Sequence, residues 1–329
     1  MQNYLKTTAL TLSLALFGVI PAQANDNKQV WGGGSPDASF YSGEYVPFVI
    51  ETLNGVRLSG YSWAGKSQGT TQNAQMVTEN PTHLAVGQHD VLKSLQKSNE
   101  YNFTILHENL GYECAYLVTK NENYSTFGHV LANSWDITIG TGGEKSGSFA
   151  TLQNLQTLFP DLETAKIEHS GGMNDIVDDV VSGDTTFGFF IMRPDPQSSI
   201  FEKIAENELT MVPVVDFNLE DQYQIKKLKI ENGGLFGSSQ YHTTACTTVS
   251  LITGDVDNVS DPRNKRRLEE TIKRVGSLDS EKLRKKMVER TSSWGDFLDN
   301  IKSVTAEKTR NLMEASKNAV DNARKNLSN

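Results

Sequence analysis

The chain has 329 residues, a formal net charge of −9 and a pI near 5.3. That length supports two lobes, and the acidic balance argues against a nucleic-acid binder. The charge is uneven: from Asp261 onward there are 17 Lys and Arg against 11 Asp and Glu, leaving 14 against 29 for the rest, so an acidic body carries a basic tail of solvated helix surface.

The first 24 residues place Lys6 before an apolar run from Ala9 to Ile20 and end on Ala22-Gln23-Ala24. This is the layout of a secretory signal peptide, and the apolar run is too short to cross a hydrocarbon core of ~30 Å as a helix. Export to the periplasm is expected, with cleavage after Ala24 and no lipid anchor, because no Cys follows that point. The mature chain is then expected to stay out of the membrane. Its two cysteines, Cys114 and Cys246, suggest one disulfide in an oxidising compartment; two buried free thiols are the alternative.

Gly32 to Ser39 (GGGSPDAS) forms a Gly/Ser loop leading into a helix. Further on, residues 60–67 read GYSWAGKS, a literal match to the nucleotide-cradling P-loop. The context fails. Lys66 and Ser67 lead into QGTTQN rather than into a helix with an apolar face, and nucleoside triphosphates are no working fuel outside the cytoplasm. The match is read as a coincidence of composition.

Two stretches share a layout, Val56 to Asp90 and Ala165 to Asp195. Each offers a short strand, a Gly/Ser-rich loop, a helix of about ten residues, a polar turn and a second apolar strand, the second strands being His83 to Gly87 and Phe187 to Met192. Ile176, Val177, Val180 and Val181 fall at helical spacing. Strand–helix–strand units point to parallel sheets in an α/β fold. A further Gly/Ser loop, Gly140 to Ser148, follows the strand Asp136 to Ile139. A helix N-terminus presents unpaired N–H groups and partial positive charge, so four such loops in duplicate favour an anion site between two lobes; ordinary capped turns are the alternative, since Ser, Thr and Gly favour helix starts everywhere. The residues concerned are Ser35 and Ser39, Gly69, Thr70 and Thr71, Ser146, Gly147 and Ser148, and Gly171 and Gly172.

The opening GGGSPDASFY (which adds Phe40), the unit NGVRL…GTTQNAQMVTENPTHLAVGQHD, the stretch YECAYLVTKNENYSTFGHVLANSWDITIGTGGEKSGSFATLQNL and the segment HSGGMNDIVDDVVSGDTTFGFFI together resemble type II periplasmic solute-binding proteins. More narrowly, they resemble the TAXI family of receptors for TRAP transporters, over roughly Gly32 to Thr253. The resemblance implies a two-lobed Venus-flytrap fold with a helical C-terminal tail. One lobe would comprise 25–119 plus 238–329, including the helices from about 261, and the other 120–237, with hinge crossings near Thr119-Lys120 and Ser238-Tyr241. It implies a small solute held between lobes that close by hinge motion and delivered to membrane-embedded transporter subunits; the Gly/Ser helix starts favour an anionic solute of carboxylate type. Cys114, in the strand before the first crossing, and Cys246, in the strand after the return, would then be neighbours and bonded.

The remaining candidates are weaker. The six histidines show no H-x-x-x-H or H-E-x-x-H spacing, so no metal site is expected, and no cofactor. No G-x-S-x-G elbow is present, and the protein is not expected to be an enzyme. His89, at a strand end, and Arg193, after a strand, are candidate cleft residues, Arg193 as a bidentate partner for a carboxylate; surface, core or solvated roles are the alternatives, and Lys145 carries the same pair of readings. Trp63 and Trp135 read as core or cleft aromatics. The tail reads as helices over Arg263 to Val275, Ser280 to Thr291 and Trp294 to Leu327, whose thin apolar stripe suits a helix covering a lobe, assigned to the first; docking to a membrane partner is the alternative. A monomer is expected. The alternative functions are a binding protein of the same fold for an ABC permease or a sensor kinase, and a secreted hydrolase.

Overall fold

The computed structural model describes residues 28–33, 41–195, 198–231, 239–290 and 306–327. The signal-peptide segment and the site candidates Ser35, Ser39 and Phe40 lie outside these residues, as does Ser238 at the second expected crossing.

The strands are β1 (Lys28–Trp31), β2 (Tyr61–Trp63), β3 (Leu84–Gln88), β4 (Phe103–Thr119), β5 (Thr138–Thr141), β6 (Lys166–His169), β7 (Phe187–Met192), β8 (Thr210–Val212), β9 (Gln224–Glu231) and β10 (Ser239–Gly254). Between and after them run α1 (Val46–Gly55), α2 (Thr70–Glu79), α3 (His89–Ser98), α4 (Phe127–Ala132), α5 (Gly147–Leu158), α6 (Met173–Ser182), α7 (Ser199–Glu206), α8 (Pro262–Gly276), α9 (Ser280–Arg290) and α10 (Ala306–Leu327).

The ten strands among the described residues join in one sheet, and its order reveals a duplication. In the first half the order is β2-β1-β3-β10-β4, with β1 parallel to β2 and β3, and with β10 antiparallel to β3 and β4. In the second half it is β6-β5-β7-β4-β8, with β5 parallel to β6 and β7, and with β4 antiparallel to β7 and β8. Each half borrows its fourth strand from a crossing segment. Two duplicated α/β units joined by two long strands are the two-lobed, Venus-flytrap fold of type II binding proteins. Helices cover both faces of each half, as parallel strands require.

Local chemistry explains the units. In α6, Ile176, Val177 and Val180 are buried as their spacing predicts, each contributing about 1.5–3 kcal/mol relative to exposure. The helix stops at Gly183, in the left-handed conformation at φ 88°. β7 is buried throughout its FGFFIM run, and a methyl group on Gly188 would lie 2.8 Å from Ile176 Cγ2, so the glycine sets how closely α6 approaches the sheet. α8 opens on Asp261, whose Oδ1 accepts from the N–H groups of Arg263 and Asn264, with Pro262 in the first turn.

The crossing strands part at the cysteines. Cys114 faces Cys246 in register, and beyond this pair β4 takes β7 as its partner while β10 takes β9. The two residues are bonded, enclosing a sequence separation of 132. The tail departs from expectation. α10 leaves the first half and rests on α4 in the second, burying Met313 and Ser316. Gly128 permits that crossing, since a methyl group there would overlap the Ser316 carbonyl.

Candidate functional site

A cavity of about 480 Å³ opens where the halves face each other, within the range of small-molecule sites. Its first wall is built by the loop before α2, the end of β3 and the middle of β4; its second by the loops before α5 and α6 and the end of β7. Of the residues singled out from sequence, Gly69, Thr70, Ser146, Gly147, Ser148, Gly171, Gly172 and Arg193 all line it.

The α5 start carries the donors. Ser146 Oγ caps the helix, accepting from Phe149 N–H at 3.1 Å, and Ser148 Oγ accepts from Ile191 N–H at 3.0 Å. Each hydroxyl keeps its own hydrogen to donate. The N–H groups of Gly147 and Ser148 stand in the first turn, where no carbonyl precedes them in the helix. α2 begins on Gly69 at φ 133°, with no side chain capping its first turn. Thr70, by contrast, is committed to the frame: its hydroxyl accepts from Gln88 N–H at 3.1 Å. At α6, Asp175 Oδ2 lies 2.5 Å from where a methyl group on Gly171 would sit, so a carboxylate already occupies that positive end.

The glycines turn out to serve a different contact from the one expected. A methyl group on Gly69 would lie 2.9 Å from Gly147 N, and one on Gly147 would overlap the Gln88 side chain. Both glycines therefore let the two halves touch. A second tie lies behind the cavity, where Thr151 Oγ1 on α5 donates to Asp90 Oδ2 on α3 at 2.8 Å and Tyr223 OH donates to the same oxygen at 2.9 Å. Asp90 belongs to the first half; Thr151 and Tyr223 belong to the second.

The charged group that sequence reasoning missed is Glu113, on β4 one residue before the disulfide. It is 4% exposed and lines the cavity. Its Oε2 accepts from Tyr41 OH and from Gln88 Nε2, both at 2.8 Å. Burial pushes its carboxyl from the ordinary 4.5 up to about 7, against the opposing pull of those two donors. Burial and the neighbouring carboxyl hold the Tyr41 phenol well above its usual value, so Tyr41 keeps its proton and donates. The detectable signal was a lone acid inside an apolar strand run, Tyr112-Glu113-Cys114-Ala115-Tyr116.

Arg193 lines the cavity, with its guanidinium hydrogen-bonded to Asp195 at 2.8 Å; it is not the solvated group considered as its alternative. Two other candidates fall away from the wall. His89 opens α3, and its ring faces Ser250 Oγ at 2.8 Å, away from the cavity wall; burial lowers its pKa. Thr71, one step into α2, is also absent from the wall. Lys66 of GYSWAGKS is exposed, while Ser67 Oγ is buried and donates to Asn73 Oδ1 at 2.6 Å, so that stretch frames α2 and cradles no phosphate.

A second cavity, about 680 Å³, lies within the first half between α1 and α9, lined largely by Phe48, Val56, Leu278 and Leu283 with Glu51 and Lys286. Among the described residues no group of three or more His, Cys, Asp or Glu is placed to hold a metal ion, and no helix is long and apolar enough to cross a membrane.

No family model matches the chain, and no curated protein matches it. Solved structures do. An XAC2383 protein of Xanthomonas citri bound to ATP is 10% identical, with 91% of this chain and 98% of that one covered at a TM-score of 0.48. MatC of Rhodopseudomonas palustris with bound malate is 12% identical, with 89% and 98% covered at 0.43. The VFT2 domain of Bordetella pertussis BvgS is 12% identical, with 80% and 91% covered at 0.44. Similarity this distant transfers no residue role; the fold assignment rests on the duplicated strand order above.

Proposed function

We propose that this chain is an exported, non-enzymatic solute-binding protein that captures a small carboxylate-type solute between its two halves. The observation that carries this is the cavity itself, closed by contact between the Gly69 and Gly147 loops and furnished with unspent donors at the α5 start. Closing two halves over a ligand is hinge motion, with the crossings on β4 and β10 as its axis and Asp90 as a tie made only when the halves meet. The units are 25–119 with 238–290, and 120–237, with α10 laid across to the second. The sequence resemblance favours delivery to a TRAP-type membrane transporter, and the leader-like first 24 residues favour a periplasmic location.

Thermal shift with a set of small carboxylates tests the reading. A solute at one hundred times its Kd should stabilise by about 2.7 kcal/mol. Ser146→Gly leaves a residue that helix starts accept at a cost of a few tenths of a kcal/mol and removes the hydroxymethyl group with its donor. It should weaken binding about tenfold or more, since hydrogen bonds to charged groups contribute roughly 1.5–3 kcal/mol. A solute whose affinity ignores Ser146→Gly binds elsewhere and overturns the site.

A further inference from the structure

We propose that the solute is a zwitterion, with a protonated amine held against Glu113 and a carboxylate held at the start of α5. This rests on the cleft being the binding site, as argued above, and adds the charge pattern of what it takes.

Glu113 is almost wholly buried, and both its protein hydrogen bonds, from Tyr41 and Gln88, go to Oε2. Oε1 belongs to a cavity-lining side chain, and among the described residues the hydrogen bonds to this carboxyl all go to the other oxygen. The two neighbours that touch the carboxyl both donate to it, which prepares it as an acceptor. What such a site lacks is a positive donor for the second oxygen. Removing a carboxylate from water without a partner is costly, and a ligand ammonium would supply one at hydrogen-bond range.

The surrounding charges do not fill that place. Tyr41 and Tyr45 act on Glu113 from the segment leading into α1, Tyr116 from further along β4 and Asp90 from α3; all four are neutral or negative. Arg193, beyond β7, does act on Glu113 electrostatically but is bonded to Asp195. The opposite pole stands close by. Gln88 gives its amide N–H to Glu113, and its Oε1 lies against Gly147, where α5 begins. One glutamine side chain therefore separates the acceptor from the donors, so the two charges of the ligand must lie within a few bonds of each other.

The two ligand classes differ in the sign of their pH dependence. An ammonium is best met by ionised Glu113, so its binding should strengthen as pH rises through about 7. An amine-free anion is best met by the protonated acid, so its binding should weaken over the same interval.

The experiment titrates the whole secreted protein with the α-amino acids by calorimetry, and in parallel with succinate, glutarate and the deaminated counterpart of every amino acid that binds, from pH 5.5 to 8. We expect an amino acid to bind at least tenfold more tightly than its amine-free counterpart at pH 8, with affinity falling by up to tenfold per pH unit below about 7. Glu113→Gln should remove both the preference and the slope. The wild-type comparison stands alone if that variant fails to fold. An amine-free carboxylate that binds equally well, and more weakly as pH rises, overturns the zwitterion while leaving the cleft assignment intact. If no carboxylate of either kind binds, the cleft assignment fails and the zwitterion falls with it.

Discussion

Replacing Glu113 with Gln should make the unliganded protein more stable at neutral pH, and the difference should grow with pH. Gln keeps the shape and an acceptor for Tyr41 and Gln88 but cannot ionise. In the native protein the carboxyl titrates at about 7, against 4.5 ordinarily. The folded state thus binds more protons than the unfolded state between those values, and stability falls as pH rises through that window. The rise from 4.5 to about 7 corresponds to roughly 3 kcal/mol, fully expressed well above pH 7. Wild type alone would hide much of this. His242 is buried without a hydrogen bond to Nε2, and burial pulls it from 6.5 down to about 4. There the unfolded state binds the extra proton, so stability rises with pH across 4 to 6.5 and opposes the Glu113 slope. The difference between variant and wild type isolates Glu113. Urea unfolding with the disulfide intact, at pH 4.5, 6 and 8, should show the two proteins converging at the acid end and Glu113→Gln ahead by about 3 kcal/mol at pH 8. Parallel profiles would refute the account of a buried, isolated carboxyl.

Gly69→Ala should fold but bind solute at least tenfold more weakly, because φ 133° disfavours any side chain and the added methyl meets Gly147 N at 2.9 Å; unchanged calorimetric affinity would contradict contact-dependent closure. Thr151→Val removes one donor from Asp90, so small-angle scattering of the unliganded variant should report a larger radius of gyration; an identical curve would show that the tie does not hold the halves together. Replacing Cys114 and Cys246 together with Ala should lower stability by up to about 5 kcal/mol on the chain-entropy account of a 132-residue separation. Intact mass after alkylation without reductant should show no labelled thiol in the wild type.

The fold was legible where local chemistry repeats. Glycine loops followed by helical spacing and then a buried run, as from Gly171 to Met192, mark a strand–helix–strand unit without any knowledge of partners. The same signals single out the α5 start, which lines the cavity. Glu113, Tyr41 and Gln88 stayed hidden because each is a single residue in an ordinary strand or helical turn, and only the crossing of β3, β4 and the α1 segment brings them together. Arg193 was visible as a cation, but its Asp195 partner two residues on becomes a partner only through the turn after β7. The tail was misplaced for a similar reason: the thin apolar stripe of α10 says that it packs, and Gly128, almost two hundred residues away, decides where.

The central claim is that solute is held between the halves, and hydrogen–deuterium exchange tests it most directly. The protein extracted with its natural solute would be compared with the same protein unfolded, dialysed and refolded. Protection on the solute-loaded form should concentrate at 67–70, 142–148 and 170–173 and around Gln88 and Glu113, which line the cavity from both sides. Protection confined to α1 and α9, around the cavity beside Phe48 and Leu283, with no change at the α5 start, would place the solute in the first half alone and contradict the account.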